Sequence, residues 1–390
     1  MIQLAFLSYR PVMTAVAILA LFCLSGCEHG GADAEIVAKL DAAGKSKASI
    51  FPDREDYYGA FVLDDNNAWA VGNRGVVLHL TNKGETVTIL PTWIEKALYN
   101  VDFADAQNGV AVGQDGLIVK TRDGGKTWTQ SKLELPPEEW RPGLPHIFTL
   151  SRGTDSQKIW AAGPGGTIVH SSDGGETWQD LSLHRDVTLN GIAFVNDLEG
   201  WVVGEFGTIL YTSDGGKTWQ EQKNVQNLPK YTRPELSEED AIKQRVPQLY
   251  LEDLFLISVA VNKDRQAYVT GESGILLTTT DGGATWTNVS SGGFNTLLSV
   301  APPGAEHVAA ATGILGTLAI LEGGTWAPLP DIREHILTWL RDVSFSKTSG
   351  FGVVCGGKGT ILLTQDGGKN WKALDKGMLE QKVIATEKAT

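Results

Sequence analysis

Apolar and polar positions alternate along most of this chain in short runs, each closed by glycine, asparagine or aspartate. Leu189-Asn-Gly-Ile-Ala-Phe-Val195, Gly200-Trp-Val-Val203 and Thr208-Ile-Leu-Tyr211 follow one another, and Thr218-Trp-Gln-Glu221 begins a fourth run. Period-two patterning bounded by turn residues predicts strands, and four in close succession predict one small antiparallel sheet.

That unit recurs. Gly-x-x-Gly followed by β-branched residues has its glycine pairs at 72/75, 113/116, 163/166, 204/207, 271/274, 313/316 and 356/359. Successive copies are 41, 50, 41, 67, 42 and 43 residues apart, a basic period of 41 to 43 with added segments in the second and fourth intervals. Asp-Gly-Gly-x-Thr-Trp occupies 123–128, 173–178, 214–219 and 281–286, and 366–371 with Asn370 in place of Thr; Gly323-Gly-Thr-Trp326 is a worn copy without the Asp. A period of this length with several short strands predicts an all-β, seven-bladed β-propeller of four-stranded blades. Gly-x-x-Gly makes the hairpin between strands two and three, where glycine can supply positive φ. Asp-Gly-Gly makes the next hairpin: Asp123, Asp173, Asp214, Asp281 and Asp366 accept N–H bonds across it, and Trp128, Trp178, Trp219, Trp286 and Trp371 turn inward between sheets. The same residue type in every blade serves the repeat, so these positions are structural.

Composition narrows the function. Of 390 residues 42% are hydrophobic and 45 are Gly, which fits a folded, turn-rich chain and excludes disorder. The 33 Lys and Arg against 46 Asp and Glu include no basic cluster, so no nucleic-acid partner is expected. The seven His have no metal spacing, and no phosphate loop or Ser-His-Asp signature appears, so neither metal nor cofactor is expected.

The first residues read as a targeting segment. Arg10 precedes an apolar stretch from Pro11 to Leu24, too short to span a bilayer comfortably and suited to a secretory signal. It ends Leu24-Ser-Gly-Cys27, which resembles the bacterial lipobox, so residues 1–26 are expected to be removed and Cys27 lipidated, two acyl chains giving a stable anchor. Glu28 leaves the outer membrane open as a destination. Residues 27–50 read as a flexible tether, 51–376 as the propeller and 377–390 as a tail. Cys355, in Phe351-Gly-Val-Val-Cys355, reads as a buried small hydrophobe.

Ser171-Ser-Asp-Gly-Gly-Glu-Thr-Trp178 and its copies resemble the Asp box of bacterial neuraminidase repeats. With Leu98-Tyr-Asn-Val-Asp-Phe103, Leu340-Arg-Asp-Val-Ser-Phe345 and the Val-Gly-x-x-Gly turn, residues 55 to 375 more closely resemble the photosystem II stability and assembly factor family. That resemblance implies a non-catalytic, monomeric propeller that chaperones membrane-protein assembly on the non-cytoplasmic side, lipid-anchored in cyanobacteria-like members. Homologues without photosynthesis leave the partner open: an envelope complex on the periplasmic side, or a photosynthetic complex on the thylakoid lumen side. The family's photosynthetic members are expected to carry an arginine patch on one face, and here only Arg74 and Arg341 sit at plausible positions, among Glu205, Glu272 and Asp115.

In four-stranded blades the turns after strands two and four share one face, so the Asp boxes lie opposite the Gly-x-x-Gly turns and the blade-to-blade connections. Both insertions, 132–145 and 222–248, fall in connections. Trp140, between prolines, is a candidate partner anchor, and Ser237-Glu-Glu-Asp240 fits a capping box opening a short charged helix. Candidate partner-binding residues of the inner ring and turns are Arg74, Asn100, Gln114, Asn190, Glu205, Phe206, Glu272, Arg341 and Lys358. The rival reading is a glycan-binding or glycoside-hydrolysing Asp-box propeller. It lacks the sialidase Arg-Ile-Pro signature and would rest on a carboxylate pair such as Asp102 with Asp342 or Glu205 with Glu272.

Overall fold

The computed structural model describes residues 55–228, 251–290, 295–329, 332 and 335–374. Signal segment, Cys27, tether, C-terminal tail and residues 229–248 of the second insertion lie outside the described residues. Among the described residues seven sheets follow in chain order, six of four antiparallel strands in sequence order and the fifth with one further strand at its edge. Their first strands are Tyr57–Asp64, Leu98–Phe103, Thr149–Arg152, Leu189–Phe194, Leu256–Val261, Leu297–Ala301 and Leu340–Phe345. Each packs against the first strand of the next blade, and the seventh packs against the first, so these strands form the inner ring of a closed propeller.

Outer strands are shorter than the patterning predicts. The fourth run in blade 4 pairs only at Gln220–Glu221, because Thr218 is held in the Asp-box turn before pairing starts. Blade 5 differs: Val225–Gln226, leaving blade 4, adds a parallel strand beside Trp286–Asn288 and covers that sheet edge.

The Asp boxes are built as expected. In blade 4, Asp214 Oδ1 accepts the Thr218 N–H at 2.9 Å and the Thr212 hydroxyl at 2.8 Å, while Oδ2 accepts the Thr218 hydroxyl at 2.6 Å. The Thr212 hydroxyl accepts the Gly216 N–H at 2.9 Å, which locks the loop across its width. Asp123, Asp173, Asp281 and Asp366 repeat the pattern, with the Asn370 amide serving in the last. Trp128, Trp286 and Trp371 are buried, whereas Trp178 and Trp219 are half-buried. Without its Asp, Gly323-Gly324 forms a two-residue hairpin between Glu322 and Thr325, both glycines at positive φ, and Trp326 is still buried.

A second set of indoles ties neighbouring blades. Trp69, on strand two of blade 1, stacks on Phe103 of blade 2 at 3.5 Å and donates to the Gly124 carbonyl of that blade's Asp box at 3.0 Å. Trp160 repeats this on Phe194 and Gly215, at 3.8 and 2.9 Å. At the inserted strand, the Gln222 carboxamide accepts from Trp201 at 3.2 Å and Trp286 at 3.0 Å and donates to the Gly282 carbonyl at 3.1 Å.

The ring closes without exchanging a strand. Asp342 of blade 7 accepts the Ala60 N–H of blade 1 at 3.0 Å, and the Ser344 hydroxyl accepts the Val62 N–H at 3.0 Å. Asp342 also accepts the Ser299 hydroxyl of blade 6 at 2.7 Å and the Val343 N–H at 2.9 Å. Burial pushes its carboxyl up, against the pull of those donors. Beneath this seam Tyr57, Ala60 and Leu78 of blade 1 pack with Phe351, Val353 and Cys355 of blade 7, so Cys355 is a core residue.

Asp342→Ala leaves the Ala60 N–H without its acceptor inside the wall, and unfolding free energy should fall by about 1–3 kcal/mol. Denaturant titration checks this, with a smaller loss expected for Asp342→Asn; an unchanged midpoint would remove the seam from the stability account. Acid acts on different groups. Burial holds His79, His170 and His307 below the ordinary histidine range, with Lys126 and Lys158 adding to it at the first two. The unfolded chain therefore takes up more protons below about pH 6.5, and stability falls as pH falls from there. The Asp-box carboxyls add a lower window. At Asp214 burial works upward, but the Thr218 and Thr212 bonds prevail and hold it down to about 2, so its contribution is lost between the ordinary aspartate range and that value. Calorimetry should show Tm declining between about pH 6.5 and 5 and again below about 4; a flat profile would contradict this sign.

Candidate functional site

The Gly-x-x-Gly turns are one device repeated seven times. The N–H after the first glycine donates to the carbonyl just before strand one of the same blade: Asn73 to Asp56, Gln114 to Ala97, Glu205 to Thr188, Glu272 to Phe255, Ile314 to Thr296 and Gly357 to Trp339, at 2.9–3.1 Å. Blade 3 has Pro164 there and lacks the bond. A Cβ on the first glycine would fall 2.0–2.4 Å from that same carbonyl oxygen in all seven blades. Glycine at this position is thus required by close approach in extended backbone, and only the second glycine, at φ 59–70°, supplies the positive φ expected of both. Connections pack on these turns: the N–H of Gly166, Gly207 and Gly316 donates to Val187, Leu254 and Thr338.

Between the glycines, the residue before the second one is left-handed in every blade: Arg74, Asp115, Gly165, Phe206, Ser273, Leu315 and Lys358, at φ 50–67°. L side chains are strained there, by roughly 1–2 kcal/mol. Phe206 and Leu315 are nonetheless 62% and 51% exposed, so burial offsets little of that strain, and Phe206 meets only Phe255, at 6.4 Å between ring centroids.

A β-bulge opens strand one in six blades, between Leu98 and Asn100 for example, and the residue inside it stands at the inner ring. Tyr58, Tyr99, Asn190, Ile257, Leu298 and Arg341 hold this place, and Phe148 is its counterpart in blade 3. Trp339 stacks on Tyr58 at 5.7 Å and 5°, Tyr58 meets Tyr99 edge-on at 5.6 Å, and Tyr99 meets Phe148 at 5.7 Å. These four rings form an aromatic crescent across blades 7, 1, 2 and 3. Tyr58, Phe148 and Trp339 are half-buried, as are Asn190, Ile257 and Arg341.

Several candidates are engaged in holding the ring. Asn190 donates to the Leu256 carbonyl at 2.9 Å and Arg341 to the Leu298 carbonyl at 3.2 Å, each reaching the adjacent blade. Glu205 accepts the Thr188 N–H at 2.9 Å, and Gln114 accepts that of Ala97 at 3.5 Å, capping the entry to strand one. Asn100, beside the bulge, lies where a Cβ on Gly59 would come 2.8 Å from its Cα. Arg74 and Lys358 are exposed in their turns, and burial pushes the Glu272 carboxyl up. Trp140 is 40% exposed, on an insertion pinned by buried Arg141, which donates to Thr167, Ser182 and Pro136 at 3.0–3.2 Å. Of the suspected acids, Asp342 is committed to the seam and Asp102 pairs with Arg152 of the neighbouring blade.

On the Asp-box face, open grooves of about 420 and 230 Å³ lie between blades 3 and 4 and blades 2 and 3. Their charges are paired, Lys158 with Asp197 at 3.2 Å and Lys120 and Arg122 with Glu176. Among the described residues no group of three or more His, Cys, Asp or Glu could hold a metal ion.

A model of the family described as photosynthesis system II assembly factor YCF48 matches residues 89–187 and 176–313, together more than half of the chain. The chain belongs to that family. Two Photosystem II assembly lipoproteins Ycf48 from Prochlorococcus marinus, strains MIT 9312 and NATL2A, are 50% identical over 40 residues and 49% over 39. Each match covers 10% of this chain and 12% of the relative. YCF48 from Cyanidioschyzon merolae shares the fold at a TM-score of 0.57 and 17% identity, over 80% of this chain and 96% of its own. A structure titled YCF48 bound to D1 peptide aligns at 0.59 and 18%, over 80% and 94%. The GH74 xyloglucanase from Xanthomonas campestris aligns at 0.61 and 14%, over 83% of this chain and 55% of the xyloglucanase. Assembly-factor and glycosidase propellers thus share this scaffold.

The inner aromatic ring had a signal that alternation hides, since a bulge shifts the parity of every side chain before it. For the left-handed positions, Leu315→Asn should relieve strain and raise unfolding free energy by up to about 1 kcal/mol, because Asn tolerates that conformation. Denaturant titration reads it; a loss would mean Leu315 packs more than its exposure suggests.

Proposed function

We propose that this chain is a non-catalytic receptor, exported and lipid-anchored at Cys27, that holds a segment of a membrane-protein subunit at the inner ring of its Gly-x-x-Gly face during assembly. The aromatic crescent carries this reading. Half-buried Trp339, Tyr58 and Phe148, backed by buried Tyr99, continue round the ring towards half-buried Ile257, a surface suited to apolar and aromatic side chains, with Asn190 and Arg341 as polar anchors. Family membership supports it, as do the relatives named lipoproteins and the solved relative named with D1 peptide, which makes a D1-like segment the first probe. Because only Arg74 and Arg341 stand where an arginine patch is expected, apolar contact carries more of the recognition here. Glycoside hydrolysis would need a pair of carboxylates available for acid and base work. Asp102, Asp342 and Glu205 are each engaged within the ring, which weighs against that reading.

A photo-crosslinking residue at Ile257, on the inner ring, should capture a membrane-protein segment in membranes, and one at Leu198, on the Asp-box face, should not. Tyr58→Ala with Trp339→Ala should reduce the yield from Ile257 severalfold. Capture from Leu198 alone, or glucan turnover by the purified protein without capture, would overturn the reading.

A further inference from the structure

The described chain enters the propeller on the Gly-x-x-Gly face. The Glu55 carbonyl accepts the Gly359 N–H at 2.6 Å, and Asp56 accepts the Lys358 N–H at 3.0 Å through its carboxylate and the Asn73 N–H at 2.9 Å through its carbonyl. Residues 55 and 56 are therefore seated between the turns of blades 7 and 1. Upstream, 27 residues lie between Cys27 and Glu55. A flexible chain of that length has a root-mean-square reach of about 30 Å, so an anchor at its far end would hold the point of entry close to a membrane.

The same face displays apolar side chains that are largely exposed, Phe206 meeting only the edge of the fold at Phe255, 6.4 Å between ring centroids. Among the described residues seven large apolar side chains are prominently exposed, and five belong here: Trp140 at 40%, Leu144 at 44%, Phe206 at 62%, Leu315 at 51% and Leu337 at 79%. They stand at three stations. Leu144 covers Gly116 of blade 2 and Trp140 lies against Gly165 of blade 3. Phe206 is on the blade 4 turn, and Leu315 is on the blade 6 turn, which the connection carrying Leu337 overlies through Ile336 and Thr338. Three stations spread round a ring define a plane rather than a single groove. Charges on this face are of both signs, Arg74 and Lys358 among Glu205, Glu272 and the Lys96–Asp115 pair at 3.5 Å, so anionic lipid is not required.

We propose that this face rests on the bilayer surface, Trp140, Leu144, Phe206, Leu315 and Leu337 entering the headgroup region around the inner ring. The crescent then opens at the membrane, where it meets segments of a partner as they leave the bilayer. This inference rests on the lipid-anchor reading above for its biological setting, while the contact itself needs no acyl chain.

The test uses the mature chain carrying Cys27→Ser, so that no lipid contributes, with phosphatidylcholine vesicles and vesicles of the same lipid brominated in its tails. The chain should float with the vesicles at low and high salt, and the brominated lipid should quench its tryptophan fluorescence. Phe206→Asn, Leu315→Asn and Leu337→Ser combined should lower partitioning about tenfold or more, since three apolar surfaces are lost. The two Asn residues suit left-handed backbone, so the turns persist, which circular dichroism verifies. Leu198→Ser, on the opposite face, should change nothing. No flotation of the parent, equal partitioning of the triple variant, loss on Leu198→Ser, or binding confined to anionic vesicles and abolished by salt would each overturn the proposal. Crosslinking from Ile257 that persists without vesicle binding would sink this inference and leave the receptor reading standing.

Discussion

Everything on the two faces depends on a seam between residues 282 positions apart in the chain. Blade 7 supplies all four of its own strands, as does blade 1, so the ring has no shared sheet to hold its ends together. The Asp342 carboxylate and the Ser344 hydroxyl do this instead, accepting N–H groups from the inner strand of blade 1. A carboxylate is a strong acceptor there, and its burial is tolerated because Ala60, Ser299 and Val343 all donate to it. The seam also fixes the inner ring: Arg341, one residue before Asp342, and Trp339, two before that, can meet Leu298 and Tyr58 only if the last blade is held against its neighbours.

Elsewhere the blades are joined by indoles and loop carbonyls. At two junctions, from blade 1 to 2 and from blade 3 to 4, the Asp-box turn presents a glycine carbonyl to which the preceding blade's strand-two indole donates while stacking on an aromatic ring of strand one. One turn thereby serves two blades, its Asp ordering its own hairpin and its glycine receiving the neighbour. Where the chain inserts a strand, at blade 5, the Gln222 carboxamide substitutes for that direct bond. Geometry is kept and connectivity changes.

Blade number, strand order and the opposition of the two faces were legible in the sequence, because Gly-x-x-Gly and the Asp box mark the two hairpins of each unit. The inner ring was legible only in part. Asn190, Arg341 and Phe206 stand out as unusual residues at repeat positions, whereas Tyr58, Tyr99 and Phe148 read as ordinary strand aromatics until the bulge places them. Asp342 looked like a candidate acid for the opposite reason: a carboxylate in a strand with no local partner, its donors lying in two other blades. Local pattern carries little information about contacts between residues hundreds of positions apart, and the seam consists of nothing else.

The two faces differ because the repeat constrains them differently. At an Asp box each position is spent on the turn or on the next blade: Asp and Thr order the loop, glycine offers its carbonyl, and Trp fills the space between sheets. At a Gly-x-x-Gly turn the backbone does the same work alone, through one N–H, one carbonyl and two glycines, and the turn does not depend on the side chain of the left-handed residue between them. Its side chain is accordingly Arg, Asp, Gly, Phe, Ser, Leu or Lys, a different choice in each of seven blades, although the backbone there is the same. Freedom of this kind allows one scaffold to present charge in one relative and apolar side chains in another without disturbing the ring. The chemistry of that face, with the insertions that border it, is therefore where members of one fold can part in function, and in this chain it mixes charges of both signs with exposed aromatic and aliphatic side chains at Phe206, Leu315 and the flanking connections.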